Sequence, residues 1–139
     1  AIKILENNFH KINWYHLSAN PLNEAIKLLE QNPYNIKWEH LSSNTNDKAI
    51  ELLKLYPFNI NWENLSSNPN DKALDLLEKN FSHINWNALN KNYNKRSVEL
   101  LRKHPDKIRW ELFSRNPYIF YKSFEEIKKH LYNTFITPL

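Results

Sequence analysis

Tryptophan recurs at a constant spacing of 24 residues along the chain. The five positions are Trp14, Trp38, Trp62, Trp86 and Trp110. Isoleucine stands two residues before each of them, leucine or phenylalanine three residues after, and asparagine six residues after. An alanine or serine and then a pair of leucines follow in the first four units. Such self-similarity at a fixed period is typical of repeat proteins, so the chain is predicted to be an array of one supersecondary unit.

The apolar positions within a unit predict two helices. In the third full unit the second stretch carries its apolar residues at i, i+1, i+3 and i+4, which is one helical stripe: Ala73, Leu74, Leu76 and Leu77. Asn68 is predicted to cap this helix and Pro69 to fill its first position. The equivalent helices are predicted to end near Asn32, Tyr56, Asn80 and His104. A shorter helix is predicted from about Asn61 to Ser66.

Two columns of equivalent residues are predicted to have structural roles. The asparagine column is predicted to cap the second helix of each unit: Asn20, Asn44, Asn68, Asn92 and Asn116. The tryptophan column is predicted to form the repeat core, since each indole can bury roughly 150 to 250 Å². The alternative for the tryptophans is an exposed ladder on which bases or carbohydrate would stack.

Helices this short are marginal in isolation, so the units are expected to stack on one another. The predicted fold is all-α, an α-solenoid of stacked two-helix repeats that forms a single array over residues 1–139. Its predicted boundaries are a partial unit, four full units and a divergent last unit with a C-terminal capping helix: 1–11, 12–35, 36–59, 60–83, 84–107 and 108–139. The edge formed by the partial unit is expected to be covered by further chain or by a partner.

Composition narrows the possible functions. The chain contains no glycine, which excludes phosphate loops and dinucleotide-binding fingerprints, and it contains no cysteine, which excludes disulfides and thiolate metal sites. His16 and Ser18 are two residues apart on a predicted helix, as are His40 and Ser42. The two members of each pair point in different directions, so neither pair forms a nucleophile and base. The sequence predicts no enzyme, no catalytic or metal-ligating residue and no cofactor. Its apolar runs are too short to predict a membrane span.

Charge is the main argument for a nucleic-acid partner. The formal net charge is +4, and residues 91–115 carry eight basic side chains against three acidic ones, an excess of five. The predicted basic patch consists of Lys91, Lys95, Arg96, Arg102, Lys103, Lys107, Arg109 and Arg115. It could meet an acidic protein surface or a phosphate backbone. Elsewhere, charges of opposite sign alternate along the second helices, which is typical of a solvated face.

The unit I-x-W-x-x-L-S-x-N-P followed by A-I-x-L-L-E-x-N-P, written most fully at residues 12–33 and 60–78, resembles tandem repeats of giant DNA viruses of amoebae and algae. The resemblance covers residues 1 to about 117 and implies a viral repeat scaffold, located in the virion or the host cytoplasm. It implies no active site. Tyr93 stands in place of proline and Phe113 in place of leucine, which suggests that the array is ending.

The function predicted from these observations is a non-enzymatic scaffold for protein–protein interaction, either a structural component of a virion or an adaptor acting on host proteins. The alternative is a nucleic-acid-binding repeat protein that uses the basic patch in residues 91–115.

Overall fold

The computed structural model describes residues 2–119, 129, 132 and 133, and within these it contains helices and turns and no strand. The α-helices are α1 (Ile2–Glu6), α2 (Trp14–Ala19), α3 (Asn23–Gln31), α4 (Trp38–Ser42), α5 (Asp47–Leu55), α6 (Trp62–Ser67), α7 (Asp71–Lys79), α8 (Trp86–Leu89), α9 (Lys95–Lys103) and α10 (Trp110–Phe113). Each full unit therefore holds one short and one nine-residue helix. The prediction of an all-α repeat fold is confirmed.

The helices stack in sequence order to form two layers. The short helices α2, α4, α6 and α8 contact one another in series, and so do the long helices α3, α5, α7 and α9. The core lies between the layers and is filled by the predicted alanine and leucine positions, including Ala49, Leu52 and Leu53 in the second full unit. Isoleucines two residues before the tryptophans close it, and Ile36, Ile60 and Ile84 are all buried. Each helix is too short to bury its own apolar stripe, and neighbouring units cover that stripe when they stack.

A third helical segment joins each long helix to the next short one. These 3₁₀ segments span Phe9–Lys11, Pro33–Asn35, Pro57–Asn59, Phe81–His83 and Pro105–Lys107. The long helices end where the sequence predicted, because Asn32, Tyr56, Asn80 and His104 are their C-cap residues. Proline at the first position of three of these segments explains both the stop and the tight turn.

The asparagine column does not cap the long helices as predicted, because their N-cap residues lie two positions further along the chain. In α5, α7 and α9 the N-cap residues are Asn46, Asn70 and Asn94. The side-chain oxygen of each accepts a hydrogen bond from the backbone amide two residues later. The first long helix has Leu22 at this position and no side-chain cap. Because the chain turns for two further residues before the helix begins, Pro69 lies outside α7 rather than at its first position.

The asparagine column instead joins successive units. The Asn68 side chain donates from Nδ2 to the carbonyl oxygens of Ser42 and Asn44 at 3.0 and 2.9 Å, and its Oδ1 accepts from the Asn70 amide at 3.0 Å. Asn44 and Asn92 make the equivalent three bonds one unit away, and Asn116 donates to the Asn92 carbonyl at 2.8 Å. These side-chain amides are buried, so water does not reach the backbone groups that they bond. Each amide therefore satisfies backbone groups of its own unit and of the preceding unit.

A second ladder runs through the serine column. The buried Ser42 hydroxyl accepts from the Asn61 amide of the next unit at 3.0 Å and donates to the Trp38 carbonyl at 2.7 Å. Ser18 and Ser66 accept in the same way, and Asn90 takes this role in the fourth unit through its side-chain oxygen. The N-cap asparagines add a third, more exposed ladder.

The C-terminal capping helix was predicted from the pattern of apolar residues after Pro117. The predicted helix includes Ile119, but its residues from 120 onward, apart from 129, 132 and 133, lie outside the described part of the chain.

Candidate functional site

The tryptophan column is only half-buried. Trp14, Trp38, Trp62 and Trp86 pack against the core with part of the indole exposed, and Trp110 is 66% exposed. The prediction that all five form the core is therefore wrong for Trp110, and the other four lie at the margin of the core. Each tryptophan is the first residue of its short helix.

Other aromatic rings cover part of these indoles. The ring of Trp38 lies 5.0 Å from that of Tyr56, and Trp62 lies 4.5 Å from the imidazole of His83. Trp86 contacts both Phe81 and His104 at centroid distances of 5.4 Å. Because these indoles also pack against the core, much of each ring is already covered against stacking by a base or a sugar.

Three large apolar side chains are exposed in or next to two of the 3₁₀ segments. Tyr34 and Phe58 are fully exposed, at 101% and 103%, and Leu55 is 73% exposed. We call Tyr34, Leu55 and Phe58 the aromatic edge. Tyr34 and Phe58 occupy the same position of consecutive units, in the middle of the segments Pro33–Asn35 and Pro57–Asn59.

The aromatic edge is a local departure from the repeat. The position of Tyr34 and Phe58 is held by His10, Ser82 and Asp106 in the other units. Packing within the array does not require an aromatic ring there, since the polar residues are accommodated in the same turn. The sequence-based interpretation overlooked this edge, although the deviation between repeat units was a visible signal.

The basic patch is less available than its charge suggested. Arg96 forms ion pairs with Asp75 at 2.8 Å and Glu78 at 3.3 Å. The hydrogen bond from Asp75 and the charges of both carboxylates raise the pKa of Arg96 above its usual value. Arg102 donates to the Ile119 carbonyl at 2.8 Å, and Arg109 donates to the Asn87 side chain at 3.0 Å. These arginines hold neighbouring units together.

The remaining cations of the patch are spread over several elements. Lys107 pairs with Asp106 at 3.3 Å, and Arg115 lies 3.9 Å from Glu111. Lys91 and Lys103 are exposed and make no ion pair within the described residues, and Lys95 is also exposed. A phosphate backbone would therefore have to compete with carboxylate partners at three of the eight cations, Arg96, Lys107 and Arg115.

The outer face of the long helices carries a mixed-charge network. Lys72 lies 3.5 Å from Asp47 and 3.3 Å from Glu51, and its pKa is raised chiefly by the hydrogen bond to Glu51. The pKa of Asp47 is lowered chiefly by the hydrogen bond from Asn70, and that of Glu51 chiefly by the bond from Lys54. All of these groups are solvated. The network matches the expected solvated helix face and contains no group set apart for proton transfer.

Other candidates for chemistry have structural roles. The Ser18 hydroxyl is fully buried and accepts from the Lys37 amide at 2.9 Å. The His40 imidazole packs edge-on against Tyr15 at 5.5 Å. Within the described residues no three histidine or carboxylate side chains lie close enough to hold a metal ion. In the same part of the chain no helix is both long enough and apolar enough to cross a membrane.

Comparison of the chain with protein-family models, with curated proteins and with solved structures finds no match.

Proposed function

We propose that this chain is a non-enzymatic scaffold that binds another protein through the aromatic edge. The observation that carries this proposal is the full exposure of Tyr34 and Phe58 at one repeat position that is polar in the other units. The resemblance of the repeat to viral sequences further suggests a virion component or an adaptor for host proteins as the setting.

Aromatic side chains of this kind are typical anchors of protein interfaces. Each aromatic ring offers roughly 150 to 250 Å² for burial, which at about 25 cal/mol/Å² amounts to about 4 to 6 kcal/mol before entropy and desolvation are subtracted. Interface anchors that lose about 2 kcal/mol or more on truncation are enriched in tyrosine and tryptophan and surrounded by neutral contacts. Tyr34 and Phe58 are therefore the anchors that we assign to the interface, and the array holds them at a fixed separation.

The test compares the native chain with the double variant Tyr34→Ser/Phe58→Ser. Serine already occupies this position at Ser82, so the fold is expected to be retained. Affinity capture from the native source, followed by titration of the purified captured protein, should show at least a thirtyfold loss of affinity, since one hot spot corresponds to about 2 kcal/mol. Tyr93→Ser removes an exposed aromatic residue outside the edge and serves as the matched control.

An unchanged affinity in the double variant would place the binding site elsewhere. The nucleic-acid alternative predicts a different result in the same assay: binding that weakens steeply as salt rises and that is reduced by neutralising Lys91 and Lys103. The ion pairs of Arg96 and Lys107 argue against that alternative, because they already satisfy cations of the patch.

A further inference from the structure

A small open cavity lies between the fourth full unit and the last unit, where one rung of the asparagine column is incomplete. A rung is the set of hydrogen bonds that one column asparagine makes to the preceding unit. The cavity has a volume of about 250 Å³ and is lined by Asn90, Lys91, Tyr93, Leu112, Arg115 and Asn116. It shares no residue with the aromatic edge, so an inference about it does not depend on the proposed function.

The bond missing from this rung is the one between Asn116 and the Asn90 carbonyl. In the three preceding rungs the column asparagine donates from Nδ2 to two carbonyls, as Asn92 does to Ser66 at 2.9 Å and Asn68 at 2.8 Å. Within the part of the chain that the structure describes, Asn116 donates only to the Asn92 carbonyl, at 2.8 Å. Because Asn116 is 2% exposed, its second N–H is a buried donor without an acceptor.

The incomplete rung coincides with a departure from the serine column. Asn90 stands where the first three units have serine, and its longer side chain makes two bonds to the next unit. Its Oδ1 accepts from the Arg109 amide at 2.9 Å, and its Nδ2 donates to the Lys107 carbonyl at 2.9 Å. Ser42 makes only the first kind of bond to the next unit. The cavity therefore belongs to this one interface and is not a feature of the repeat.

Two cations at one repeat position line the cavity. Lys91 and Arg115 are 24 residues apart, and Lys91 is exposed and makes no ion pair within the described residues. Arg115 lies 3.9 Å from Glu111, but both side chains are largely exposed, and such a pair contributes little. The other units have small neutral residues at this position: Ala19, Ser43 and Ser67. Stacking of the units thus does not require a cation there, and both cations are available to an anion.

We propose that this cavity binds a phosphate monoester group. Such a group carries a charge of about −1.5 to −2 at pH 7 and three strong acceptor oxygens. Lys91 and Arg115 match that charge, and the second N–H of Asn116 donates to one of the oxygens. A phosphodiester has a single negative charge and matches the two cations less well.

The size of the cavity limits what else of the ligand it encloses. Its volume of about 250 Å³ lies below the roughly 300 to 1,000 Å³ of sites that enclose a drug-sized ligand. The cavity therefore takes the phosphate and the atoms next to it, with Leu112 as an apolar contact for the carbon that bears the phosphate.

The test titrates the chain with methyl phosphate, a monoester, and with dimethyl phosphate as the singly charged control. NMR follows the side-chain amide protons of Asn116, which should shift in a saturable way as a phosphate oxygen accepts from them. Methyl phosphate should bind at least about tenfold more tightly than dimethyl phosphate, a factor equivalent to about 1.4 kcal/mol. Equal affinity for the two esters, or no saturable shift at Asn116, would overturn the proposal.

A short phosphoserine peptide distinguishes two sources of the group, a free phosphate ester and a phosphorylated protein side chain. Affinity for the peptide at least about tenfold above that for methyl phosphate supports the site with a phosphorylated protein as its ligand, and equal affinity supports it with a free ester. The Tyr34→Ser/Phe58→Ser variant keeps every residue of the cavity and should bind methyl phosphate as the native chain does. Failure of the proposed function would therefore leave this result unchanged.

The variant Lys91→Ser/Arg115→Ser removes both cations from the cavity. Serine already occupies this position at Ser43 and Ser67, so the fold is expected to be retained. Binding of methyl phosphate should weaken at least about tenfold, because the two charges that attract the phosphate are lost. Unchanged affinity in this variant would overturn the proposal.

The matched control is Lys79→Gln/Lys103→Gln. These lysines are also exposed and share one repeat position, which Gln31 holds in the first full unit. The control removes the same charge outside the cavity and should bind methyl phosphate as tightly as the native chain. Equal losses in the two double variants would mean that net charge, and not the cavity, attracts the phosphate, and would overturn the proposal.

Discussion

Replacing Asn68 by alanine should cost more stability than the same change at Asn20 in the asparagine column. The side chain is 2% exposed and makes three hydrogen bonds, to the Ser42 and Asn44 carbonyls and from the Asn70 amide. Its removal leaves two carbonyls and one amide without partners, at about 1 to 3 kcal/mol each. Water entering the vacated space restores part of this loss, which gives an expected destabilisation of about 3 to 5 kcal/mol.

Asn20→Ala is the matched control, because Asn20 occupies the same column in the first full unit. It makes only the bond from the Leu22 amide within the described chain and is partly exposed. Water can replace that bond, so a loss of about 0.5 to 1.5 kcal/mol is expected. Urea denaturation followed by far-UV circular dichroism gives both values, and amide exchange shows whether the units at the replaced rung open first.

The comparison tests whether the ladders, rather than the apolar core alone, hold successive units together. Because repeat arrays can unfold in parts, the midpoints from circular dichroism and from tryptophan fluorescence should be compared before free energies are assigned. If Asn68→Ala cost no more than Asn20→Ala, the buried amide bonds would contribute little, and the assignment of the column to inter-repeat bonding would be wrong.

Three further variants test other parts of the fold. Trp62→Ala should destabilise the chain by about 1.5 to 3 kcal/mol, below the usual range for a fully buried tryptophan. Trp110→Ala should cost less than about 1 kcal/mol, because most of that indole is exposed. Equal losses of stability in urea denaturation would contradict this difference in burial. Ser42→Ala should cost about 1 to 2 kcal/mol and speed exchange of the next unit's amide, and unchanged exchange would count against the serine ladder. The Asn70 hydrogen bond holds the pKa of Asp47 below its ordinary value of about 4, so the stability that this carboxylate contributes is present above that pH and is lost as pH falls through the lowered pKa. The urea midpoint should therefore fall on acidification, and Asp47→Asn should flatten that dependence; an identical pH profile would remove Asp47 from the network.

Much of the repeat could be predicted because the same local pattern is written several times. The 24-residue spacing, the helical stripes and the helix ends at Asn32 and His104 follow from periodicity and from residues that stop a helix. Buried leucines such as Leu53 and Leu77 were predicted for the same reason. Each prediction concerned one unit and its neighbours in sequence.

The errors arose where a side chain acts between units. Asn68 and Pro69 look like an N-cap and first helical residue, yet the helix is capped by Asn70. An asparagine before a helix can either cap it or bond elsewhere, and local sequence does not distinguish the two. Trp110 was predicted to be buried by analogy with its column, but its exposure depends on what packs against the last short helix.

The sequence by itself determined the helical repeat, its length and its core-facing stripe, because hydrophobic periodicity and helix-breaking residues act over a few residues. Only the tertiary structure decided that Ser42 and Asn68 bond across units, that Arg96 is engaged by carboxylates, and that Tyr34 and Phe58 remain exposed. These properties depend on which groups from distant parts of the chain displace water from one another, and that is fixed only when the units stack.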